Sequence, residues 1–445
     1  MRLPTWSSTW SSIRPWIATL LGAALGLVCQ ASAAQAPLKP SGPAWSGQVV
    51  DAQSGQPIAH ATVQAAEQSV RTDAQGRFVW GTSSRPSRLS VRACGYSRLN
   101  DAQVSTSPTT LSLHPIRPKA LYLSVFGIGS RPLRESALKL AATTEINALV
   151  IDVKDDRGLV PHRSASVATS GLGPQKPITV ADMPTLVRQL KAQGLYLIAR
   201  VVVFKDNQWA SANPQWAVHR ADGSLWRDGE DVAWIDPFQQ AAWNRSLAIA
   251  EEAAQMGFDE VQFDYIRFPD ATGLVFSEAA TEPRRVATIN AFLDAARQRL
   301  ARYNVLIAAD IFGYVAWNTN DTQIGQQLEA IAPHVDYLSP MLYPSGFTFG
   351  IPEHRNPVAE PYAIVEHTLK RARQRTHDTP VCWRPWLQAF RDYGFDRRPF
   401  GALEIRAQID AAESTDTHGW MLWNPRNHYD ESGLKLEPSP SATQP

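Results

Sequence analysis

Short apolar runs recur along most of the chain, and stretches with helical spacing of apolar residues separate several of them. The runs cover residues 121–126, 148–153, 196–203, 260–265, 305–311, 335–342, 381–387 and 420–423. The helical stretches include residues 186–193, 243–256, 286–303 and 322–331. Continuous apolar runs that alternate with helices are typical of parallel strands covered on both faces. Eight such units within about 300 residues predict a (β/α)₈ barrel, an α/β fold of the TIM type, over residues 119–430.

A doubly wound parallel sheet is the competing fold. That fold places a glycine-rich phosphate loop between its first strand and the helix that follows. Residues 127–129 read Gly-Ile-Gly, but the third glycine and a long helix start are missing. The barrel is therefore the favoured interpretation.

Residues 45–116 have a different character, with short alternating runs at 47–51, 61–65, 70–78 and 89–93. Turns rich in Gly, Pro and Asp separate these runs, which predicts a small all-β sandwich domain. The segment contains no nucleophile–base pair and no cluster of metal-ligating residues, so no chemistry is assigned to it. Residues 34–44 are predicted to be a linker, and residues 431–445 a disordered tail.

The first residues have the features of an export signal. Arg2 and Arg14 precede an apolar run at 16–28, and Ala31-Ser32-Ala33 offers a cleavage site. This order predicts a signal peptide over residues 1–33 and a periplasmic or extracellular protein. An uncleaved anchor is one alternative, and a lipoprotein modified at Cys29 is a weaker one. No stable membrane anchor is expected after cleavage.

Cys94 and Cys382 remain after that cleavage, one in each predicted domain. The simplest prediction is two free, buried thiols, and an interdomain disulfide is the alternative. Composition excludes other classes, since 43 basic and 42 acidic residues without a block of like charge do not favour nucleic acid or an anionic membrane as partner. The 10 His residues form no zinc motif, and no G-x-S-x-G motif occurs, so neither metal nor cofactor is expected.

Carboxylates end several of the predicted barrel strands, where the catalytic groups of this fold lie. Asp264 is the first candidate, because a carboxylate there is costly unless function or a pair with Arg200 or Arg267 retains it. Asp310 is the candidate acid, with a loop cap as its alternative role. Asp152 is a third catalytic candidate, although it could instead orient a basic neighbour. Converging carboxylates are the groups that cleave glycosidic bonds.

Basic, aromatic and amide side chains at the same strand ends are candidates for substrate contact. They are Lys154, Arg200, Arg267, Tyr343, Trp386, Gln388, Trp423 and Asn424. Rigid aromatic faces can cover the apolar face of a sugar ring, and amides can bind its hydroxyl groups. The alternative for the tryptophans is packing at the end of the barrel.

Residues 147–156, 257–269 and 335–344, with 226–237 and 419–424, resemble a bacterial family of predicted glycoside hydrolases. The resemblance runs from about residue 119 to residue 429 and implies a TIM barrel distantly akin to α-amylase-type enzymes. The α-amylase pattern has an Arg two residues before the fourth-strand nucleophile, where this chain has Gln262. Its fifth-strand Glu is Asp310 here, and the seventh strand offers Gln388 instead of an Asp.

The N-terminal segment resembles the carboxypeptidase-regulatory-like module, through Gly47, Asp51, Gly55 and the turn at 72–78. Such modules are usually accessory. Together these patterns predict an exported glycoside hydrolase that acts on a polysaccharide or cell-envelope glycan through a carboxylate pair. The alternatives are a catalytically inactive, glycan-binding barrel and, less favoured, another carboxylate-based hydrolase or lyase. Acidic residues at three strand ends favour the enzyme.

Overall fold

The computed structural model describes residues 45–66, 68–80 and 86–436. The predicted signal peptide and linker, residues 1–44, lie outside the described residues, as does the end of the predicted tail, residues 437–445. Among the helices in the described ranges, none combines the length and the apolar character needed to cross a bilayer.

The first described unit is a two-sheet β-sandwich. Its strands are β1 (Trp45–Asp51), β2 (Thr62–Ala65), β3 (Gln68–Arg71), β4 (Arg77–Trp80), β5 (Arg88–Arg92), β6 (Leu99–Gln103) and β7 (Thr109–Leu113). One sheet has the order β4-β1-β7 and the other β3-β2-β5-β6. The turn before β4 depends on Asp73, whose carboxylate accepts hydrogen bonds from Gln75 N and Arg77 N, and on Gly76 at φ +70°. Apolar side chains from both sheets form a core separate from that of the barrel.

The second unit is a closed parallel barrel. Its strands are β8 (Lys119–Leu123), β9 (Ala148–Lys154), β10 (Tyr196–Val202), β12 (Glu260–Asp264), β14 (Leu306–Phe312), β15 (Tyr337–Met341), β16 (Cys382–Trp383) with β17 (Trp386–Gln388), and β18 (Trp420–Trp423). Two short strands, β11 (His219–Arg220) and β13 (Leu274–Val275), pair outside it. Parallel pairing of β8 with β18 and of β14 with β15 closes the ring. The predicted fold is thus confirmed.

Helices surround this ring and connect its strands. They are α1 (Val125–Gly129), α2 (Arg131–Thr143), α3 (Ala165–Ala168), α4 (Met183–Ala192), α5 (Asn207–Ala212), α6 (Gln240–Met256), α7 (Glu282–Leu300), α8 (Leu328–Ile331), α9 (Pro361–Arg375) and α10 (Ala402–Ser414). The seventh barrel strand is interrupted at Arg384-Pro385, because proline has no N–H with which to continue the ladder.

The sandwich packs against the N-terminal end of the barrel, opposite the mouth. Gly95 N donates to the hydroxyl of Tyr337, the first residue of β15, at 2.6 Å. Arg98 forms an ion pair with Asp259, just before β12, at 3.0 Å. It also donates to the backbone carbonyl of Asn304, just before β14. This interface combines these polar contacts with packing of Cys94 and Ile116 against the barrel, at the end opposite the candidate catalytic groups.

A disulfide also joins the two units, because Cys94 of the sandwich is bonded to Cys382 at the start of β16. The prediction of two free thiols is therefore wrong. Sequence separation, 288 residues, gave no sign of the pairing. Closure of the barrel brings the start of β16 to the face on which the sandwich docks, and the Cα atoms lie 6.2 Å apart, within bridging range.

The predicted disordered tail begins too early. Residues 431–436 lie against the barrel, where Lys435 N donates to the Glu145 carboxylate at 2.9 Å and Glu145 N donates to the Lys435 carbonyl at 2.8 Å. Leu436 forms a β-bridge with Thr144. The residues that follow α2 are thus bonded to the C-terminal segment. The polar and proline-rich composition of residues 431–445 gave no sign of these contacts.

Breaking the disulfide should destabilise the protein without altering the barrel mouth. We expect Cys94→Ser to lower the unfolding free energy by about 2–5 kcal/mol, because the bond closes a long loop in the unfolded chain. Denaturant unfolding of this variant and of Cys382→Ser, with and without reductant, measures the effect. Unchanged midpoints, or a further loss in the variants when reductant is added, would contradict the expectation.

Candidate active site

Three carboxylates and one arginine converge at the C-terminal mouth of the barrel. Asp152 lies on β9, Arg200 on β10, Asp264 at the end of β12 and Asp310 on β14. These four strands are consecutive neighbours in the sheet, so inward-facing side chains at similar heights meet inside the ring. All four side chains are buried, with exposed fractions of 4% or less.

Arg200 is the centre of this group. Its Nη1 donates to Asp152 at 2.6 Å, and its Nε donates to Asp264 at 3.0 Å while Nη2 donates to the same Asp264 oxygen. The guanidinium also lies over the ring of Trp423, 4.9 Å from its centre. Although burial opposes the charge, the Asp152 and Asp264 carboxylates hold the pKa of Arg200 well above its usual value. Arg200 is therefore a permanent buried cation.

Asp310 has a different environment. Its Oδ1 accepts a hydrogen bond from the Trp386 indole N–H at 2.8 Å, while its Oδ2 has no hydrogen-bond partner among the described residues. Burial first, and then repulsion from the Asp264 carboxylate, raises the pKa of Asp310 well above its usual range. Arg200 offsets this only partly, since its Nε lies 3.9 Å from Asp310 Oδ2. Asp310 therefore keeps its proton to a higher pH than an ordinary aspartate does.

Asp264 and Asp310 lie close together. One atom, Arg200 Nε, is 3.0 Å from Asp264 Oδ2 and 3.9 Å from Asp310 Oδ2. The separation of Asp264 Oδ2 and Asp310 Oδ2 is therefore at most the sum of these two distances. This upper limit falls at the lower edge of the spacing of about 6.5–9.5 Å in inverting glycosidases. The separations that it allows include the spacing of about 5–5.5 Å in retaining ones.

A cavity of about 220 Å³ opens beside these two carboxylates. It is lined by Asp264, Tyr265, Arg267, Asp310, Phe312, Gly313, Tyr314, Gln326, Met341, Tyr343, Gly346, Phe347 and Tyr393. Aromatic rings dominate the wall, and Tyr393 at the rim is 53% exposed. The volume is below the range of about 300–1,000 Å³ of drug-sized pockets and suits a ligand of the size of one sugar ring.

Tyr265 has an unusual backbone for its position. It follows Asp264 directly and has φ +49°, in the left-handed region that bulky residues rarely adopt. This geometry lets Tyr265 N donate to Asp264 Oδ1 at 2.5 Å and places the phenol in the cavity wall. Strained residues of this kind cluster at functional sites, where the surrounding structure imposes them.

The structure brings some of the predicted contact residues to the cavity. Arg267 and Tyr343 line it directly. Trp386 lies behind Asp310 as its hydrogen-bond donor, and Trp423 stacks on Tyr122 with ring centres 3.9 Å apart, beside Arg200. Asp152 is also a step away from the cavity, since its carboxylate accepts from the Tyr122 hydroxyl and from Arg200.

Three other predicted contact residues lie elsewhere. Lys154 is fully buried and pairs with Asp206 at 2.9 Å. Gln388 is fully buried and donates to Ser345 Oγ at 2.7 Å. Asn424 donates to the carbonyls of Ala389 and His428 and thereby orders its own loop. None of the three is part of the cavity wall.

The structure also accounts for Gln262, which stands where the α-amylase pattern has an arginine. Arg200 pairs in register with Gln262 across β10 and β12, so the arginine is supplied by the neighbouring strand. Gln262 itself donates to Ser339 Oγ at 3.2 Å, below the carboxylates. The ion pair on Asp264 thus involves Arg200, and Arg267 forms none with it.

Several residues in the cavity wall or behind it were not predicted from the sequence. Tyr122 reads as core within an apolar strand, Gln326 falls in the stretch 322–331 that is predicted to be helical but forms a helix only from Leu328, and Tyr314 and Tyr393 follow no recognisable pattern. For Tyr265 a signal existed, since it follows Asp264 at a strand end. Across the described parts of the chain, no group of three or more His, Cys, Asp or Glu side chains could hold a metal ion.

Comparison with known families gave two matches. A family model described as "Putative glycosyl hydrolase domain" matches residues 120–429, and one described as "Carboxypeptidase regulatory-like domain" matches residues 45–114. No curated protein matches the chain.

Several solved structures are similar. The glycoside hydrolase domain of PgaB (BpsB) from Bordetella bronchiseptica is 16% identical, with a TM-score of 0.51, over 70% of this chain and 95% of that one. A hypothetical protein from Ruminiclostridium thermocellum is 37% identical, with a TM-score of 0.39, over 43% of this chain and 96% of that one. A chitinase from Chromobacterium violaceum is 12% identical, with a TM-score of 0.43, over 70% and 96%. The Bordetella domain shares the barrel fold.

The raised pKa of Asp310 predicts a specific pH dependence of stability. Above the ordinary value of 3.8, the folded state keeps the Asp310 proton while the unfolded chain has lost it, so this contribution to stability falls as pH rises. Asp310→Asn removes this dependence. Its unfolding free energy relative to the parent protein should therefore rise with pH, by about 1.4 kcal/mol per unit while Asp310 stays protonated.

Denaturant unfolding of both proteins at several pH values above the ordinary value of 3.8 measures this difference. Asp270→Asn is the control, because Asp270 is exposed and changes its surroundings little on unfolding. Parallel stability curves for Asp310→Asn and its parent would show that Asp310 is ionised in the folded protein.

Proposed function

The chain belongs to the glycosyl hydrolase family whose model it matches, and on this basis we propose that it hydrolyses glycosidic bonds with Asp264 and Asp310 as its carboxylate pair. The observation that carries the proposal is the difference between these two neighbouring groups. Asp264 is ion-paired with a buried arginine, whereas Asp310 is buried with one oxygen unpartnered in the described structure. Such a pair can supply one proton donor and one charged group.

In this proposal Asp310 is the general acid. It protonates the oxygen of the glycosidic bond as that bond breaks, a role that the raised pKa of its carboxyl favours. Asp264 attacks the anomeric carbon as the nucleophile. The glycosyl–enzyme ester is then hydrolysed by a water molecule from which Asp310, now charged, removes the proton.

Arg200 and Asp152 are positioning residues in this mechanism. Arg200 fixes the orientation of Asp264 through two N–H groups on one oxygen, and Asp152 holds the other side of the guanidinium. With Asp310 protonated, the two remaining carboxylates and Arg200 leave one net negative charge. That charge favours the oxocarbenium-like transition state of glycoside cleavage.

The aromatic wall supports a carbohydrate substrate. Tyr343, Phe347 and Tyr314 offer flat apolar faces inside the cavity, and the partly exposed Tyr393 extends this surface to the rim. We further propose that the substrate is a polysaccharide or cell-envelope glycan and that the protein is exported. The signal-like start of the chain and the Cys94–Cys382 disulfide support export, since such bonds persist mainly in oxidising compartments.

A panel of purified polysaccharides and cell-envelope glycans tests the activity directly. The parent protein should release reducing ends from at least one of them, and Asp310→Asn should not. Activity that is equal in the parent protein and in this variant would remove Asp310 from the mechanism.

Asp264→Asn should affect both activity and stability. Loss of the nucleophile should lower kcat by about 10⁴-fold or more. The change also weakens a buried ion pair, which costs about 3–5 kcal/mol when a charge is left alone. Because Arg200 keeps Asp152, we expect a loss near the lower end of that range.

Asp152→Asn is the matched control, because it weakens the same arginine network from the other side and leaves the cavity carboxylates in place. Turnover and thermal midpoint are measured on the same preparations. The stability losses should be similar, and the loss of kcat much larger for Asp264→Asn. Equal losses of kcat would mean that Asp264 acts only through Arg200.

A nucleophilic Asp264 predicts retention of anomeric configuration, and the upper limit on its separation from Asp310 includes the spacing of retaining enzymes. NMR spectra recorded in the first minutes of hydrolysis should show the product anomer with the configuration of the cleaved bond. Initial formation of the opposite anomer would assign an inverting mechanism and make Asp264 a base that activates water.

A further inference from the structure

Arg267 is the one basic side chain in the wall of the cavity beside Asp264 and Asp310. It lies three residues after Asp264, on the segment that leaves β12. In the described ranges no carboxylate forms an ion pair with it. Its Nη1 donates a hydrogen bond to the carbonyl of Phe268 at 3.1 Å. Most of its N–H donors are therefore available.

Two aromatic rings fix the position of this guanidinium. It lies 4.8 Å from the ring centre of Trp234 and 5.2 Å from that of Tyr265. Both rings offer faces that attract a cation, so the charge is held in place without a carboxylate. An arginine held this way is preorganised to bind a ligand, because little side-chain freedom remains to be lost.

The neighbouring cation Lys205 differs from Arg267, because carboxylates surround it. Lys205 also lies over the Tyr265 ring, at 5.2 Å, but its Nζ pairs with Asp156 at 3.3 Å, Asp228 at 3.2 Å and Glu230 at 2.5 Å. The charge of Lys205 is thus satisfied within the protein. The charge of Arg267, half-buried at the cavity wall, is not.

We propose that Arg267 determines substrate specificity by binding an anionic group, a carboxylate or a sulfate, on the sugar that occupies this cavity. The inference rests on the proposed function and names its substrate class, a glycan with acidic sugar units such as uronic acids. A planar guanidinium binds such groups through two parallel N–H bonds, which an ammonium cannot do. Arg267 also offsets the negative charge of the nearby Asp264, which would otherwise repel an acidic sugar.

Matched pairs of substrates test the inference in the active enzyme. Uronate polymers are compared with the same polymers after reduction of their carboxyl groups, which keeps the linkages and removes the charge. Sulfated polymers and their desulfated forms make a second pair. The parent protein should prefer the acidic member of one pair.

Arg267→Gln should lower kcat/KM on that acidic polymer by about 100-fold and change it less than about threefold on the neutral form. Arg267→Lys should lie between the two. Arg391→Gln is the control, because it removes a charge from an exposed loop position near the rim. Equal losses on acidic and neutral polymers would overturn the inference, as would unchanged kcat/KM for Arg267→Gln.

Binding separates this inference from the proposed activity. Ligand-observed NMR compares glucuronate, glucose 6-sulfate and glucose on Asp310→Asn, with and without the added Arg267→Gln change. At least one anionic sugar should bind more tightly than glucose, and Arg267→Gln should abolish the difference. If glucose binds as tightly as both, the inference is wrong even if the protein is an active hydrolase. Preferential anion binding by a protein that cleaves no glycan would overturn the activity alone.

Discussion

The buried cation Arg200 determines the chemistry of the barrel mouth. A buried guanidinium needs charged partners, and Asp152 and Asp264 supply them at hydrogen-bond distance. Burial first, and then the charge of Asp264, raises the pKa of the neighbouring Asp310 well above its usual range, and Arg200 offsets this only partly. Two acids that look alike in the sequence thus acquire different surroundings, because Asp264 accepts two hydrogen bonds from the arginine on the neighbouring strand, whereas the nearest approach of that arginine to Asp310 is 3.9 Å.

The two ends of the barrel divide stability from function. At the N-terminal end, a fully buried pair of Arg384 and Glu260, the disulfide to the sandwich and the Arg98–Asp259 pair hold the strands together. At the mouth, charged groups face a cavity and a strained backbone follows Asp264. The sandwich therefore supports the floor of the barrel, and none of its described residues lines the candidate site. This division follows the general rule that barrels carry function at the C-terminal face.

Much of this architecture was readable from the sequence, because parallel strands buried on both faces leave continuous apolar runs and eight of them leave few alternatives. The same rule located Asp152, Asp264 and Asp310 at strand ends. Contacts between distant segments were not readable. The Cys94–Cys382 bond depends on how two units dock, and the aromatic cavity wall comes from loops that have no periodicity. Lys154 also lies at a strand end, but it is fully buried and pairs with Asp206 outside the cavity wall.

Gln262 shows how a chain can depart from a sequence pattern and still place the same chemical group in the site. The α-amylase pattern asks for an arginine two residues before the strand-end Asp, one step down the same strand. Neighbouring strands in a sheet lie only about 4.8 Å apart, so a long side chain at the same height on the next strand can reach the same carboxylate. Arg200 is in register with Gln262 and does so. A second arginine at position 262 would add an unpaired charge to a fully buried layer, where the neutral amide bonds Ser339 instead. What must be preserved for the chemistry is the position of the guanidinium, and the strand that carries it is free to change.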